Sequence, residues 1–308
     1  MELRHLRYFC AIAEEMHVTR AAERLRVAQP ALTQQIKSLE SELQTKLLRR
    51  AGRGIELTEA GKVFWVDARS ILDRVRTATL NAQEAARGVI GRLAIGLTET
   101  VSFARPVTRV LKQAHEFWPS VELSLTQDRS NDLVAALVDR HIDIAFMRPP
   151  APSIAELRWQ PFLTENLLVA SPTDYPLNSN RSVTLSAIAK APLILPRGRG
   201  GHAGLRTLLA AAFANQGYEP NVVQETPEYV MAINLVAAGL GIAIVPAALE
   251  GLRPDAIVYR PLRTTPRLRT EIIIVSRVED PSPVVANFLR LAVELAPKSL
   301  RRRDQDSL

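Results

Sequence analysis

Apolar and polar positions recur along this chain with two different periods, and the change of period divides it. Over residues 2–16 the apolar positions 3, 6, 9, 10 and 13 keep helical spacing. Thr19 stands where an N-cap would open a short helix ending near Leu25, although Ala22 occupies the place of the usual capping-box acid. Small Ala21 and Ala22 allow the next helix to approach closely. That helix opens at Gln29-Pro30, and proline suits a first helical position because its missing N–H would have no intrahelical partner there. At about 100° per residue, Leu32, Ile36, Leu39 and Leu43 form one apolar stripe. Pro30, Thr33, Gln34, Lys37 and Ser41 fall opposite, with Glu40 at the edge. Short amides and hydroxyls with almost no carboxylate suit the reading of base edges in a DNA major groove. Taken alone, the same face fits an ordinary solvated helix equally well.

The stretch LLRRAGRGIELT follows, two short β-like pieces around Ala51-Gly52-Arg53-Gly54. A glycine turn bearing Arg50 and Arg53 beside a candidate recognition helix fits a wing entering an adjacent minor groove. From Thr58 to about Arg87 there is no proline, and Phe64, Ala68, Ile71, Val75, Ala78, Ala82 and Ala85 keep a 4-3 spacing. Such heptads predict a helix of about 45 Å packed along a partner helix. Four alanines among these positions bury little area, so a second contact between copies is expected elsewhere.

Beyond Gly88 and Gly91 strands alternate with helices: strands at 92–96, 121–126, 142–147, near 165–171, 192–196, 222–225, 241–246, 257–262 and 269–277. Helices are predicted at 102–117, 132–139, 203–216, 228–238 and 283–296. This order predicts an α/β fold with parallel sheet, in two sets that suggest two lobes and a cleft.

Composition adds limits. Mean hydropathy is near zero, no apolar run reaches membrane-spanning length, and no signal peptide is visible, so a cytoplasmic protein is expected. The single Cys10 excludes an intramolecular disulfide and lies on a helical apolar stripe, which reads as a buried thiol. Net charge is +7; residues 1–58 hold ten Lys/Arg against seven Asp/Glu, a modest excess suited to an anionic partner or to solubility alone. Enzyme readings find little: histidines 5, 17, 115, 141 and 202 lack metal-ligand spacing, and neither H-E-x-x-H nor G-x-S-x-G occurs. The glycine-rich Gly198–Thr207 lacks Gly-Lys-Ser/Thr, and Gly239-Leu-Gly241 precedes a strand where a dinucleotide fingerprint follows one. No metal or cofactor is therefore expected.

The opening MELRHLRYFCAIAEEMHVTRAAERLRVAQPALTQQIKSLE, followed by LLRRAGRGIELTEAG, resembles the LysR-type transcriptional regulators. The likeness is dense over residues 1–61 and looser beyond, notably at 222–249; Leu48 stands where the family often has Phe. The resemblance implies an N-terminal winged helix-turn-helix (1–58), a long dimerising linker helix (59–88) and a two-lobed α/β effector domain of the type II periplasmic-binding-protein kind (89–297). Subdomain I would be 91–161 with 266–297, and subdomain II 162–265; 298–308 would be a disordered basic tail. It further implies dimers or tetramers on an inverted repeat of double-stranded DNA, a small-molecule effector, and RNA polymerase as a further candidate partner. Carried over from the family, the DNA contacts are Gln29, Pro30, Thr33, Gln34, Lys37, Arg50 and Arg53.

Ligands of two-lobed α/β domains bind beyond the carboxyl ends of strands, near helix N-termini. That logic selects Thr98, Thr100 and Ser102, then Arg129 and Ser130, then Arg148, and from the other lobe Pro196 to Gly204 and Thr226 to Tyr229. In the family, hydroxyls at the positions of Thr100 and Ser130 hydrogen-bond a small organic acid, although Thr and Ser also cap helices. Arg148, Arg197 and Arg199 suit a carboxylate, and each also fits a solvated loop. The stretch from Gln224 to Glu228 resembles members that sense aromatic-catabolism intermediates. The effector is thus expected to be small, organic and anionic. An exported solute receptor would leave 1–88 unexplained, and an architectural DNA-binding protein would leave the cleft idle.

Overall fold

The computed structural model describes residues 1–51, 54–197 and 203–297. Arg53, Arg199 and the basic tail 298–308 lie outside the described residues. The chain divides into two compact units, Met1–Glu84 and Ala85–Leu308.

In the first unit α1 (Leu3–Glu15), α2 (Val18–Leu25) and α3 (Gln29–Glu42) enclose a core of Leu6, Phe9, Ile12, Ala21, Leu32 and Leu39. The short helix begins before Thr19. Met16 turns the backbone left-handed (φ 51) and extended His17 is the N-cap, so Thr19 falls within the first turn and caps nothing. Pro30 stands in the first turn of α3. Strands β1 (Leu48–Ala51) and β2 (Gly54–Leu57) pair antiparallel, Leu48 opposite Leu57 and Ala51 opposite Gly54.

Helix α4 (Glu59–Arg87) then runs 29 residues. The heptad reading of this helix needs a correction at its start. Phe64 meets Phe9 edge-to-face at 5.2 Å and Ala68 is fully buried, so these two positions serve the unit's own core. Gly61 makes that seat possible, since a Cβ there would stand 2.1 Å from the Leu47 carbonyl oxygen. Further along, Ile71 and Leu80 are exposed, and so are Ala78, Ala82 and Ala85. Among the described residues no helix is long and apolar enough to cross a membrane.

The second unit is built on a sheet of ten strands. Lobe I holds β3 (Ile90–Leu97), α5 (Arg105–Phe117), β4 (Ser120–Gln127), α6 (Ser130–Val138) and β5 (Ile144–Met147). Strand β6 (Leu157–Pro172) leads into lobe II. There follow β7 (Val183–Thr184), α7 (Leu185–Ala189), β8 (Leu193–Pro196), α8 (Ala203–Asn215), β9 (Val222–Thr226), α9 (Tyr229–Ala237), β10 (Ile242–Pro246) and β11 (Ile257–Arg263). Strand β12 (Arg269–Arg277) and α10 (Pro283–Leu295) return to lobe I.

Along the sheet the order is β4-β3-β5-β12-β6-β10-β8-β9. The outer ladders are parallel, as the alternation predicts, whereas the central strands β6 and β12 run antiparallel to each other and to their neighbours. Strand β6 begins eight residues earlier than the sequence suggests and joins the lobes: Leu157–Asn166 pairs with β12, and Leu167–Pro172 with β10 and β11. Pro161 has no N–H for the ladder, and the register slips opposite it, between Ile272 and Ile273.

Each lobe keeps its own core, with Phe146, Phe162 and Phe288 stacked edge-to-face in lobe I and Phe213, Ile233 and Val245 in lobe II. Gly88, at φ 68, ends α4 under Pro283, where a Cβ would come within 2.5 Å of backbone. The Asn287 amide donates to the carbonyl oxygens of Arg87 (2.9 Å) and Gly88 (3.3 Å), closing the C-terminal end of α4.

Candidate functional site

On the first unit Gln29, Pro30, Gln34, Lys37 and Arg50 are exposed and Thr33 is half-buried. With Thr19 and His17, four of these (Gln29, Thr33, Lys37 and Arg50) line a groove of about 660 Å³ between α2, α3 and the wing. Its polar rim has an order of its own: the Thr19 hydroxyl donates to Gln29 Oε1 (3.1 Å), and Thr33 Oγ1 to the Gln29 carbonyl (2.9 Å).

The one acid at the edge of this face is turned inward. Glu40 accepts from the amides of Leu47 (2.9 Å) and Leu48 (3.2 Å) and from Lys46 Nζ (2.7 Å). Burial pushes its carboxyl up, and Lys46 with the two amides more than reverses this, holding it below the usual carboxylate range. Among the described residues the face offered to solvent therefore carries polar side chains and a lysine without an opposing charge. Arg49 is paired with Glu56 (2.9 Å), whereas Arg50 has no ion-pair partner among the described residues. Cys10 is buried, which pushes its thiol up to about 11 and keeps it unreactive.

The second site forms where the strand ends of lobe I meet lobe II. After β3 a 3-10 turn (Glu99–Val101) carries Thr98, Thr100 and Ser102. Four of the expected residues are committed to the protein itself. Arg148, only 4% exposed, donates from Nε to Thr100 Oγ1 (2.7 Å) and from Nη2 to Glu165 Oε2 (2.6 Å). Its Nη1 reaches Thr270 Oγ1 (3.4 Å). Ser102 Oγ donates to the Glu99 carbonyl (2.6 Å), and Thr226 Oγ1 to the Glu228 carbonyl (2.9 Å). Pro196 is buried at the end of β8. The Arg197 amide donates to the Thr226 carbonyl (2.7 Å), while its exposed guanidinium lies 3.9 Å from Glu225.

Two hydroxyls stand apart. Thr98 Oγ1 and Ser130 Oγ, on residues 5% and 3% exposed, have no hydrogen-bond partner among the described residues. Neither caps its helix: Thr98 makes no cap bond to the 3-10 turn, and Ser130 lies inside α6, behind exposed Arg129. A buried hydroxyl without a partner is costly. Near Arg148 and Thr270, a cavity of about 480 Å³ lies between the lobes, walled by Pro149, Pro150, Leu205, Leu208, Arg269 and Glu271, a volume suited to a small molecule.

Three acids complete the cleft: Glu228 falls within the expected Thr226–Tyr229 loop, whereas Glu99 and Glu165 are absent from the sequence expectation. Glu165 neutralises Arg148. Glu99, on lobe I, reaches α9 of lobe II and accepts from the amides of Tyr229 (2.9 Å) and Val230 (3.0 Å). Glu228, the N-cap residue of α9, faces Glu99. Burial, with Glu228 opposing, pushes the Glu99 carboxyl up to about 7 although both amides favour its charge. Only the inward parity of Glu165 along β6 offered a signal in the sequence; the Glu99–α9 contact spans 130 residues. Among the described residues no group of three His, Cys, Asp or Glu could hold a metal.

Known proteins share both units. Residues 3–62 match the family model for bacterial regulatory helix-turn-helix proteins of the LysR family, and residues 86–297 match the LysR substrate binding domain. The HTH-type transcriptional regulator AlsR of Bacillus subtilis is 35% identical over 295 residues, 95% of each chain. Among solved structures, CbnR, described as a LysR family transcriptional regulator, superposes with a TM-score of 0.87 at 30% identity, over 95% of this chain and 100% of that one. Full-length CbnR in complex with its target DNA gives 0.86 at 29% identity, over 96% and 100%. A helix-turn-helix with a wing followed by a two-lobed effector domain is thus shared from end to end, and these relatives are transcriptional regulators rather than enzymes. The chain belongs to the LysR family of ligand-responsive, DNA-binding transcriptional regulators.

Proposed function

We propose that the effector is a small organic acid held between the lobes, and that its arrival changes how paired wings meet an inverted-repeat operator. The observation that carries this reading is the pair of buried, unpartnered hydroxyls, Thr98 and Ser130, at the strand ends of lobe I. A ligand that hydrogen-bonds both removes a standing desolvation cost. Its negative charge is supported by the N-terminus of α6, with Ser130 in the first turn and Arg129 at the cap position. The likeness of Gln224–Glu228 to members that sense aromatic-catabolism intermediates makes an aromatic-derived acid the first class to screen. Thr100, Arg148, Ser102, Pro196, Arg197 and Thr226 then shape the cleft wall, and Arg148 acts there as a neutral pair with Glu165.

In this reading Gln29, Pro30, Thr33, Gln34 and Lys37 meet base edges and phosphates, while Arg50 and Arg53 enter the flanking minor groove. The exposed heptad positions along α4, Ile71, Ala78, Ala82 and Ala85, share one face and support a helix-to-helix dimer, and a tetramer would pair two such dimers. Effector binding would favour one angle between the lobes, and contacts between effector domains would carry that change to the wings. The protein would act in the cytoplasm, where the DNA is, with RNA polymerase as a partner at the promoter.

A thermal-shift screen of small carboxylates and aromatic acids on the full chain tests the site. A ligand at a hundredfold excess over its Kd stabilises by about 2.7 kcal/mol. At least one acid should raise Tm in the wild type and fail to do so in Ser130→Ala, which keeps its fold. Equal shifts in both proteins would place the ligand elsewhere.

A further inference from the structure

Four consecutive residues on the way into the wing are bonded to α3, and all four bonds end on Glu40. Its main-chain carbonyl accepts from the Thr45 amide (3.1 Å). Its side chain takes the next three residues. Oε2 accepts from Lys46 Nζ (2.7 Å), and Oε1 from the amides of Leu47 (2.9 Å) and Leu48 (3.2 Å). Gln44, left-handed at φ 51 just past α3, lets the chain double back in this way. Glu40 is only 7% exposed, yet it lines the same groove as Lys37, three residues earlier on α3.

Helix α3 has its own anchor in buried Leu32, Ile36 and Leu39, so what the carboxylate holds is the start of β1. Leu48 opens that strand and Arg50 stands two residues on, so the two share a face, and both line the groove. Among the described residues no other hydrogen bond joins α3 to β1. The remaining ties at the base of the wing run to other elements. The Thr58 amide donates to the Leu47 carbonyl (3.0 Å), its hydroxyl donates to the Lys46 carbonyl (2.7 Å), and the Ile55 amide of β2 donates to the Met16 carbonyl (3.1 Å).

We propose that Glu40 is a positioning residue for DNA recognition: it fixes the wing at a set distance from α3, so that Arg50 and the α3 face engage one DNA site together. The proposal rests on the reading that Arg50 meets DNA. An apolar contact between α3 and β1 would be non-directional, whereas two amides converging on one carboxylate oxygen set both distance and direction. An acid in this groove would otherwise repel phosphate. Here its charge is met by donors from the segment that it holds, and Lys46 adds the countercharge.

A double-mutant cycle on operator affinity tests this role. It uses the full chain without effector, on a site selected from a random DNA library. In the wild type, Arg50→Ala and Lys37→Ala should each weaken binding about tenfold, as the loss of one cationic contact to DNA does. In Glu40→Ala, Arg50→Ala should cost less than about twofold, while Lys37→Ala keeps its full cost because α3 stays on its core. Glu40→Gln retains a carbonyl oxygen for the two amides and should restore the Arg50 effect. A variant that had only lost stability would bind less overall and keep both costs.

Glu40→Asp keeps the charge but ends a methylene short of the amides, and it serves in place of Glu40→Ala if that variant does not fold; it too should lower the Arg50 cost. An Arg50→Ala cost equal to wild type in Glu40→Ala and Glu40→Asp would overturn the positioning role and leave the Arg50 contact standing. Loss of the Lys37 cost as well would make Glu40 a support of the whole face, which also overturns it. If Arg50→Ala costs nothing in the wild type, the contact reading itself falls and the positioning role falls with it.

Discussion

Removing the carboxylate from Glu165 tests the physical account of the cleft most severely, because it strands Arg148. The two side chains are 4% and 6% exposed, and Nη2 lies 2.6 Å from Oε2. In Glu165→Leu the guanidinium keeps Thr100 Oγ1 at 2.7 Å and a long contact with Thr270, but loses its only countercharge among the described residues. Breaking one side of a buried pair costs about 3–5 kcal/mol, chiefly through the uncompensated charge left behind. For a domain of this size each kcal/mol lowers Tm by about 2–4 °C, so the expected loss is roughly 6–20 °C. The double variant Arg148→Met with Glu165→Leu removes the charge itself and should recover most of that loss, since an apolar pair of similar volume replaces a buried ion pair at little net cost. Urea unfolding and calorimetry of the two variants and the wild type supply the cycle. A Glu165→Leu protein within about 1 kcal/mol of wild type would mean that Arg148 is hydrated and free to take a ligand carboxylate, contrary to the geometry.

Other outcomes follow from the same contacts. Ser130→Ala and Thr98→Val remove hydroxyls without partners and should leave stability unchanged or slightly raised, whereas Thr100→Val strands Arg148 Nε and should cost about 1–3 kcal/mol by urea unfolding. Gly61→Ala drives a methyl group to 2.1 Å from the Leu47 carbonyl oxygen and should cost at least about 2 kcal/mol, read as a lower Tm of the N-terminal transition. Thr33→Ala or Gln34→Ala should relax base preference in the half-site by about 1–3 kcal/mol in competition binding, while Arg53→Ala should lower affinity and lose the preference for A·T-rich flanks. Because the folded protein holds the Glu99 proton to about 7 against 4.5 when unfolded, stability should fall by about 3 kcal/mol as pH rises through that window, and Glu99→Gln should lack this slope.

Much of the fold was legible in the sequence, for reasons that differ by element. The Leu32-Ile36-Leu39 stripe and the Gln-Pro start placed α3 correctly because both signals are local. The pair of glycines in LLRRAGRGIELT marked the wing for the same cause. Periodicity could not distinguish a partner helix from the unit's own core, which is why Phe64 and Ala68 read as interface and turn out to pack on Phe9 and its neighbours. The first half of β6 was missed because Trp159 and Pro161 face outward and break the alternation.

In the cleft, residue types pointed to the correct loops but not to their bonds. Arg148 looked free because Glu165 is a strand away, and Glu99 drew no attention because its partners lie 130 residues on, at the start of α9. Hydroxyls and arginines announce a polar site in sequence, whereas the acids that neutralise it become visible only when strands are laid side by side.

The central claim is that a ligand between the lobes changes how α3 and the wing meet DNA. Its most direct test is a DNase I footprint of the full chain on an operator selected from a random DNA library, with and without the acid that raises Tm. The account predicts an inverted-repeat site whose flanking protection shifts when the ligand saturates the wild type, and stays fixed in Ser130→Ala. Identical footprints with and without saturating ligand would contradict it.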